Sequence, residues 1–319
     1  MSIQEFEQFL AELDDNIAKL DQAAQRTANT TASAEAQKLR MQRDSYVERF
    51  FAKLTPWDNV LLARHAQRPY ALDYINALCD DFVELHGDRL FGDDGALVGG
   101  FARLVGHSVM VLGQQKGRDL KERQRRNFGY MKPEGYRKAL RLMQLAGKFN
   151  KPVVSFVDTP GADPNVPSEE RGISEAIARN LRELAILPTP TIAIVIGEGG
   201  SGGALGIAVA DIVLMLEHSF YSVIAPEGCA AIIARDATRG SDAARWMKVT
   251  AHDALALGLI DGVIKEPLGG AHRDPAATAE SLRDAISNAL AQLTPLTTDA
   301  LLNRRAKRLR GMGRFQAIE

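Results

Sequence analysis

Residues 197–206 read Gly-Glu-Gly-Gly-Ser-Gly-Gly-Ala-Leu-Gly, directly after the apolar run Thr191-Ile-Ala-Ile-Val-Ile196. A β-branched strand that empties into five glycines within seven residues brings its backbone close to another group, because glycine has no Cβ. A helix starting near Gly202 would add the positive end of its dipole to those N–H groups. This suits a developing oxyanion. The loop holds no His, Cys or Lys, so its chemistry rests on backbone dipoles. A P-loop would need Gly-x4-Gly-Lys-Ser/Thr, and that lysine is missing. Gly197, Gly199 and Gly202 fit the dinucleotide spacing, with Glu217 downstream. The next apolar run, Asp211–Leu216, follows too soon for the usual nucleotide-binding helix. A backbone oxyanion hole is the preferred reading, and tight strand–helix packing through glycine is the plain alternative. The preferred reading expects a valine at Gly202 or Gly203 to stop the chemistry and spare the fold.

A second loop supports it. Pro152-Val-Val-Ser-Phe-Val-Asp158 reads as a buried strand, followed by Thr159-Pro-Gly-Ala-Asp-Pro-Asn-Val-Pro167, which three prolines and a glycine stiffen and shape. Ser168 reads as the N-cap of a helix reaching Leu187, with Glu169 and Glu170 as solvated first-turn residues. Asp158-Thr-Pro-Gly161 imitates a GTPase element, without a P-loop upstream. The run Lys116–Asn127 has six basic and two acidic residues. It fits either contact with the phosphates of a nucleotide-like ligand or a solvated helix face.

These loops need a framework, and the alternation of apolar runs supplies one. Residues 1–54 read as a helical hairpin: Ile3, Phe6, Leu10, Leu13, Ile17 and Leu20 form a seam, Thr27–Ser33 breaks it, and Glu35–Leu54 forms the second helix. Residues 55–319 form the main body. There a helix over Ala71–Leu85 precedes strands at Ala96–Leu104 and Ser108–Gly113. Helices at Pro133–Phe149 and Ser168–Leu187 alternate with strands at Pro152–Asp158, Thr191–Ile196, Asp211–Leu216 and Phe220–Ile224. Two helices, Pro275–Leu293 and Thr298–Leu309, close the chain. The pattern predicts an α/β fold of stacked β-β-α turns better than a doubly wound sheet.

Composition narrows the function classes. The 319 residues are 45% hydrophobic and 25% charged, ordinary for a globular enzyme. A net charge of -1 argues against a nucleic-acid-binding surface. Two cysteines, Cys79 and Cys229, cannot build a four-thiolate zinc site, so no metal is expected in this chain. They read as reduced thiols of a cytoplasmic protein. The acidic N-terminus is no secretory signal, and no apolar run suits a membrane span.

Several motifs together resemble one family. They are Val195–Leu205, Gln115-Lys-Gly-Arg118, Arg126-Asn-Phe-Gly129, Pro133–Met143, Ser174–Glu183, Tyr221-Ser-Val-Ile224, Pro226-Glu-Gly-Cys-Ala230, Glu266–Arg273 and Ala63–Tyr74. The chain resembles the carboxyltransferase α subunit of multisubunit acetyl-CoA carboxylase over nearly its whole length. One departure is Asp163-Pro-Asn-Val-Pro167, where the family has a Tyr-Pro-Gly-Val-Gly-like stretch. The resemblance implies a crotonase-type superhelix and an assembly of two α and two β chains, the β chain carrying a zinc ribbon. It implies transfer of a carboxyl group from carboxybiotin, on a biotin carboxyl carrier protein, to acetyl-CoA, with biotin carboxylase in the larger complex. Malonyl-CoA is the product, destined for fatty acid synthesis. The biotin anion can take the methyl proton, so no strong protein base is needed. Gly202, Gly203 and Gly161 are the candidate catalytic residues. Gly199, Gly200, Ala162, Arg171, Lys116 and Arg118 are the candidate substrate-binding residues, with coenzyme A held mainly by the β chain. Three rivals remain: a hydratase or isomerase using Glu198, a serine protease using Ser201 with His218, and a scaffold subunit.

Overall fold

The structure, a computed structural model, describes residues 2–27 and 30–313. Helices α1 (Ile3–Thr27) and α2 (Thr30–Phe51) form the N-terminal hairpin, α3 (Pro56–Ala63) follows, and α4 (Ala71–Leu78) leads into β1 (Cys79–Glu84). Strands β2 (Leu97–Leu104) and β3 (His107–Gln114), helices α5 (Leu120–Arg125) and α6 (Pro133–Lys148), then β4 (Val153–Thr159) come next. Helices α7 (Val166–Glu170) and α8 (Ile173–Ala185) precede β5 (Thr191–Gly200), α9 (Ser201–Ala208), β6 (Ile212–Leu216) and β7 (Phe220–Ser222). The chain then forms α10 (Pro226–Ile233), α11 (Gly240–Met247), α12 (Ala251–Ala256), β8 (Gly262–Ile264), α13 (Pro275–Leu293) and α14 (Thr298–Arg310).

One mixed sheet carries the order β1-β2-β3-β4-β5-β6-β8. The first three strands pair antiparallel, and the pairs from β3 onward are parallel. Both faces of the central strands are covered, which is why they read as unbroken apolar runs. In β5, Ala193 and Val195 pack on the side of α6, α8 and α9. Ile192, Ile194 and Ile196 pack on the other side, against α4 and α13. Past Ile196, β5 leaves its β6 partner, and Glu198–Gly200 pair instead with β7. The hairpin keeps its seam: Ile3, Phe6, Leu10 and Ile17 are buried. The break expected over Thr27–Ser33 is shorter, since α2 already begins at Thr30, and residues 28–29 lie outside the described residues. Among the described residues no helix is long and apolar enough to cross a membrane.

Two expected helices are corrected. The helix predicted over Ala71–Leu85 ends at Leu78, because Cys79–Glu84 pairs antiparallel with the edge of β2. Sheet pairing outweighs local helix propensity there. The helix predicted from Ser168 is two helices, α7 and α8, divided at Gly172, which sits in the left-handed region (φ 79°, ψ 50°). Ser168 lies inside α7 and is no N-cap; its hydroxyl donates to Asp163 Oδ2 at 2.5 Å. Helices α10, α11 and α12 fill a stretch for which no helix was predicted.

The tail is fastened by one arginine. Arg305 of α14 is fully buried, and its five N–H donors are all used. Two go to Asp211 (2.8 and 2.6 Å), two to the Leu184 and Leu187 carbonyls (2.7 and 2.8 Å), and one to the Thr189 carbonyl (2.9 Å). Asp211 also accepts from the backbone and hydroxyl of Thr191. The guanidinium thus closes the C-terminal end of α8 onto the start of β5. Replacing Arg305 by Met leaves the Asp211 carboxylate buried without its cation. Urea denaturation of R305M should show a loss of about 3–5 kcal/mol. R305K should recover only part, because an ammonium lacks the planar fork. An unchanged midpoint in R305M would remove the clamp from the stability of the fold.

Candidate functional site

The turn from β5 into α9 is built from contacts that only glycine allows. A Cβ on Gly197 would lie 2.5 Å from Asp158 Oδ1, one on Gly199 2.7 Å from the Tyr221 ring, and one on Gly200 2.2 Å from the Pro160 carbonyl oxygen. On Gly203 it would lie 2.4 Å from the Gly161 carbonyl carbon and 2.5 Å from the Ala162 nitrogen. The two loops singled out in the sequence are therefore pressed backbone to backbone. Gly202 differs: the nearest atoms to a Cβ there are those of Ile177, 3.8 Å away. This corrects the expectation that Gly203 would tolerate valine. It stands against packed backbone, not against a cavity.

Helix α9 starts at Ser201, after Gly200, with no side-chain cap, and the first N–H groups of a helix have no intrahelical partner. Ser201 itself has φ 56°, a left-handed conformation that a non-glycine residue adopts at a cost of about 1–3 kcal/mol. The helix is held from below: the Gly203 carbonyl accepts from Gln114 Nε2 (2.8 Å) and Tyr136 OH (3.2 Å). Beside its first turn lies a mostly apolar cleft of about 310 Å³, lined by Ser201, Gly202, Leu205, Tyr221, Val223 and Arg308 among others. Across the second loop, the Gly161 N–H is taken by Thr159 Oγ1 at 3.1 Å, and Thr159 in turn donates to the Gly129 and Gly161 carbonyls. Gly161 thus contributes close approach to Gly203 more than a free donor. Gly199 and Gly200 are buried members of β5.

Under this turn sits a charge network that residue spacing did not reveal. Lys116 Nζ lies 2.8 Å from Asp158 Oδ1 and 2.8 Å from Glu198 Oε2. Glu198 also pairs with Arg64, which reaches Glu227 at 2.5 Å. Asp158 Oδ1 accepts the Glu198 N–H at 2.9 Å, and the Asp158 N–H donates to Gln114 Oε1 at 3.1 Å. Gln114 therefore joins the network to α9. Burial opposes the Glu198 carboxylate, but Lys116 and Arg64 outweigh it and hold its carboxyl below the usual range. Burial likewise opposes the Lys116 ammonium, and the two carboxylates overcome it. Glu198 is thus a fixed anion, which counts against the hydratase rival. His218 Nδ1 is 2.9 Å from Asn59 Oδ1 and its ring packs edge-on against Phe51; among the described residues no hydrogen bond joins it to Ser201, which the protease rival requires.

The remaining candidates are held by partners of their own. Lys116 is committed to its carboxylates. Arg118 pairs with Asp73, donates to the Ala66 and Arg68 carbonyls, and lies over the Tyr70 ring. Arg171 pairs with Glu134 at 2.8 Å and stacks on Phe91. These partners tie Lys116 into the turn, while Arg118 keeps an ion pair that faces solvent. Only the later part of the basic run, as α5, is an exposed helix. Ala162 is half-buried against Gly203.

A second buried pair supports the strand from its other side. Arg68 donates to Glu266 (2.9 and 2.6 Å) and to the Ile196 carbonyl (2.7 Å), at the residue where β5 turns away from β6. Burial opposes the Glu266 carboxylate, and Arg68 outweighs it, holding its carboxyl at about 2. A depressed carboxyl stabilises the fold above its unfolded value, and that contribution fades as pH falls. The wild type should therefore lose stability from about pH 4.5 down toward pH 2 through this group. E266Q should be weaker at neutral pH and show a shallower acid slope in pH-dependent chemical denaturation. Parallel slopes in the two proteins would exclude Glu266 as an acid-sensitive support.

Comparison with known proteins places this geometry. Residues 3–313 match the family described as acetyl co-enzyme A carboxylase carboxyltransferase-like. The acetyl-coenzyme A carboxylase carboxyl transferase subunit alpha of Geobacter metallireducens is 53% identical, covering 98% of this chain and 97% of that protein. The subunit of the same name in Burkholderia mallei is 54% identical over 98% of this chain and 96% of that protein. Among solved structures, the transcarboxylase 12S core is 23% identical with a TM-score of 0.57, covering 73% of this chain and 44% of that one. The Pseudomonas malonate decarboxylase MdcD–MdcE hetero-dimer is 20% identical with a TM-score of 0.60, covering 75% of this chain and 96% of that one. The latter two show the fold alone, which is the crotonase-type architecture that the family resemblance implied. With its glycine turn, its helices and nearly its full length matched, this chain belongs to the carboxyltransferase α-subunit family of acetyl-CoA carboxylase.

Proposed function

We propose that the chain is the α half of a carboxyltransferase that moves a carboxyl group from carboxybiotin to acetyl-CoA, giving malonyl-CoA. The observation that carries this reading is the uncapped first turn of α9 beside an apolar cleft, in a chain of this family. Carboxybiotin, on its carrier protein, supplies the carboxyl group and leaves as a ureido anion able to take the acetyl methyl proton. The N–H groups of Gly202 and Gly203 stabilise that developing charge, reinforced by the helix dipole. Gly161 and Ala162 set the position of Gly203 by packing on it, and Gly199 and Gly200 carry the strand into the turn. The Lys116–Asp158–Glu198 network keeps β5 and α9 in register and takes no part in proton transfer. The apolar cleft excludes water, which strengthens each dipole inside it.

The partners follow from the same reading. A β subunit with a zinc ribbon holds coenzyme A, the biotin carboxyl carrier protein delivers biotin, and biotin carboxylase recharges it. Exposed Val223 at the cleft, and exposed Ile232 and Ile233 on α10, suit subunit contacts. The assembly works in the cytoplasm, where its product enters fatty acid synthesis.

Two experiments test the proposal. The purified chain alone should form no malonyl-CoA from carboxybiotin and acetyl-CoA, and adding the β partner with a biotinylated carrier should restore it. Full activity without the partner would contradict the α-half assignment. In the reconstituted enzyme, Gly202→Val should lower turnover by about 10²–10³-fold with an unchanged melting transition, because space is available at that position. Gly203→Val should instead lower stability, because its side chain meets the Gly161 backbone. Ser201→Ala should lose little, since no covalent role falls to its hydroxyl. Normal turnover in Gly202→Val would reduce the glycines to packing spacers, and a fluorophosphonate adduct at Ser201 would favour a nucleophilic serine.

A further inference from the structure

Neither the reaction nor the glycine turn uses His65 or His272, yet the fold brings both to one place together with a carboxylate. Glu7 lies on α1, His65 in the turn after α3, and His272 in the loop between β8 and α13. One ligand atom from each lies within 4.8 Å of the other two. His272 Nε2 is 3.1 Å from Glu7 Oε1, and the two imidazole rings are 3.9 Å apart between centroids. His65 Nδ1 accepts the Gln67 N–H at 3.2 Å, which leaves its Nε2 available. The His272 side chain is only 1% exposed, and its Nδ1 has no hydrogen-bond partner. Nδ1 is on the other side of the ring from Glu7, so Nε2 is the His272 atom that faces the cluster. Gly270, at φ 94°, wraps the loop against Nδ1; a Cβ there would lie 3.3 Å from it.

We propose that Glu7, His65 and His272 form a binding site for a divalent ion of the zinc class, which clips α1 to the loop ahead of α13. Two imidazoles and one carboxylate match zinc, whereas calcium and magnesium prefer oxygen ligands alone. Ligand distances near 2.0–2.1 Å require the three side chains to close in by roughly 1 Å or less each, which side-chain rotation provides. Three protein ligands leave a fourth position for water. The site is structural: its ligands come from three segments far apart in sequence, and a single ion would join them. Protein contacts already prepare the junction. Arg273 pairs with Asp14 of α1 at 2.7 Å, and Arg43 of α2 pairs with the same carboxylate at 3.0 Å. The ion would add to a docked hairpin and would not have to create one.

The test uses the untagged full-length chain, stripped with a chelator. Zinc is titrated in competition with a chromophoric chelator, and cobalt(II) serves as a spectroscopic stand-in. We expect one ion per chain, a cobalt d–d spectrum of low-coordinate type, and slower hydrogen exchange in α1 when zinc is added. His65→Gln and Glu7→Gln, both half-buried positions, should each weaken binding by about tenfold or more and abolish the slowing of exchange. Their unchanged circular dichroism would keep the comparison valid even if a His272 variant does not fold. No binding at a large excess of zinc would overturn the site. So would binding that both variants retain in full, or zinc that leaves exchange in α1 unchanged.

Discussion

Backbone must meet backbone where β5 turns into α9, and most of what surrounds the site follows from that constraint. Gly200 lies against Pro160 and Gly203 against Gly161 and Ala162 at distances that no side chain would permit. This contact joins two loops that leave neighbouring parallel strands. It lets α9 begin without a capping side chain, so its first N–H groups are supplied to the cleft by geometry alone. The positive φ of Ser201 is the local strain of the same bend.

Such a turn would be loose without support, and the support is ionic. Lys116, Asp158 and Glu198 lie beneath it, Arg68 and Glu266 hold the carbonyl of Ile196, and Arg305 with Asp211 closes the start of β5. Each pair is buried, and each cation or carboxylate also binds backbone groups. Desolvation makes a buried pair a poor source of net stability. Hydrogen-bonded at each of its nitrogens, it is a strong source of position, because any alternative arrangement leaves a charge unpaired. The charged residues near the site are therefore scaffold, in line with the proposed use of oriented backbone dipoles.

The N-terminal hairpin belongs to the same economy of contacts. Its apolar seam closes α1 on α2 through Phe6, Leu10 and Val47. Its attachment to the body joins polar pairs, Asp14 with Arg273 and Glu7 with His272, to the edge contact of Phe51 with the His218 ring. The segment carrying His272 and Arg273 also carries Glu266, so the hairpin is tied to the loop that supports β5 from behind.

The sequence by itself determined six of the eight strands, β2 to β7, together with the hairpin seam, the two loops and the family. The unbroken apolar run over 191–196 and the glycine run are local signals, readable without any partner. The family likewise lies in local motifs. What the sequence left open were distances between residues remote in the chain. Lys116 and Arg118 looked available for phosphate because their partners, at 158, 198 and 73, are invisible to spacing. The helix over 71–85 looked continuous because its end is imposed by the edge of β2. Five glycines looked alike, and only the packing shows that Gly203 is fixed by the backbone of Gly161 while a Cβ on Gly202 would meet only the Ile177 side chain at ordinary contact distance. Tertiary structure decided these points because burial, charge pairing and backbone contact depend on which segments meet, and the chain's local pattern carries no record of that.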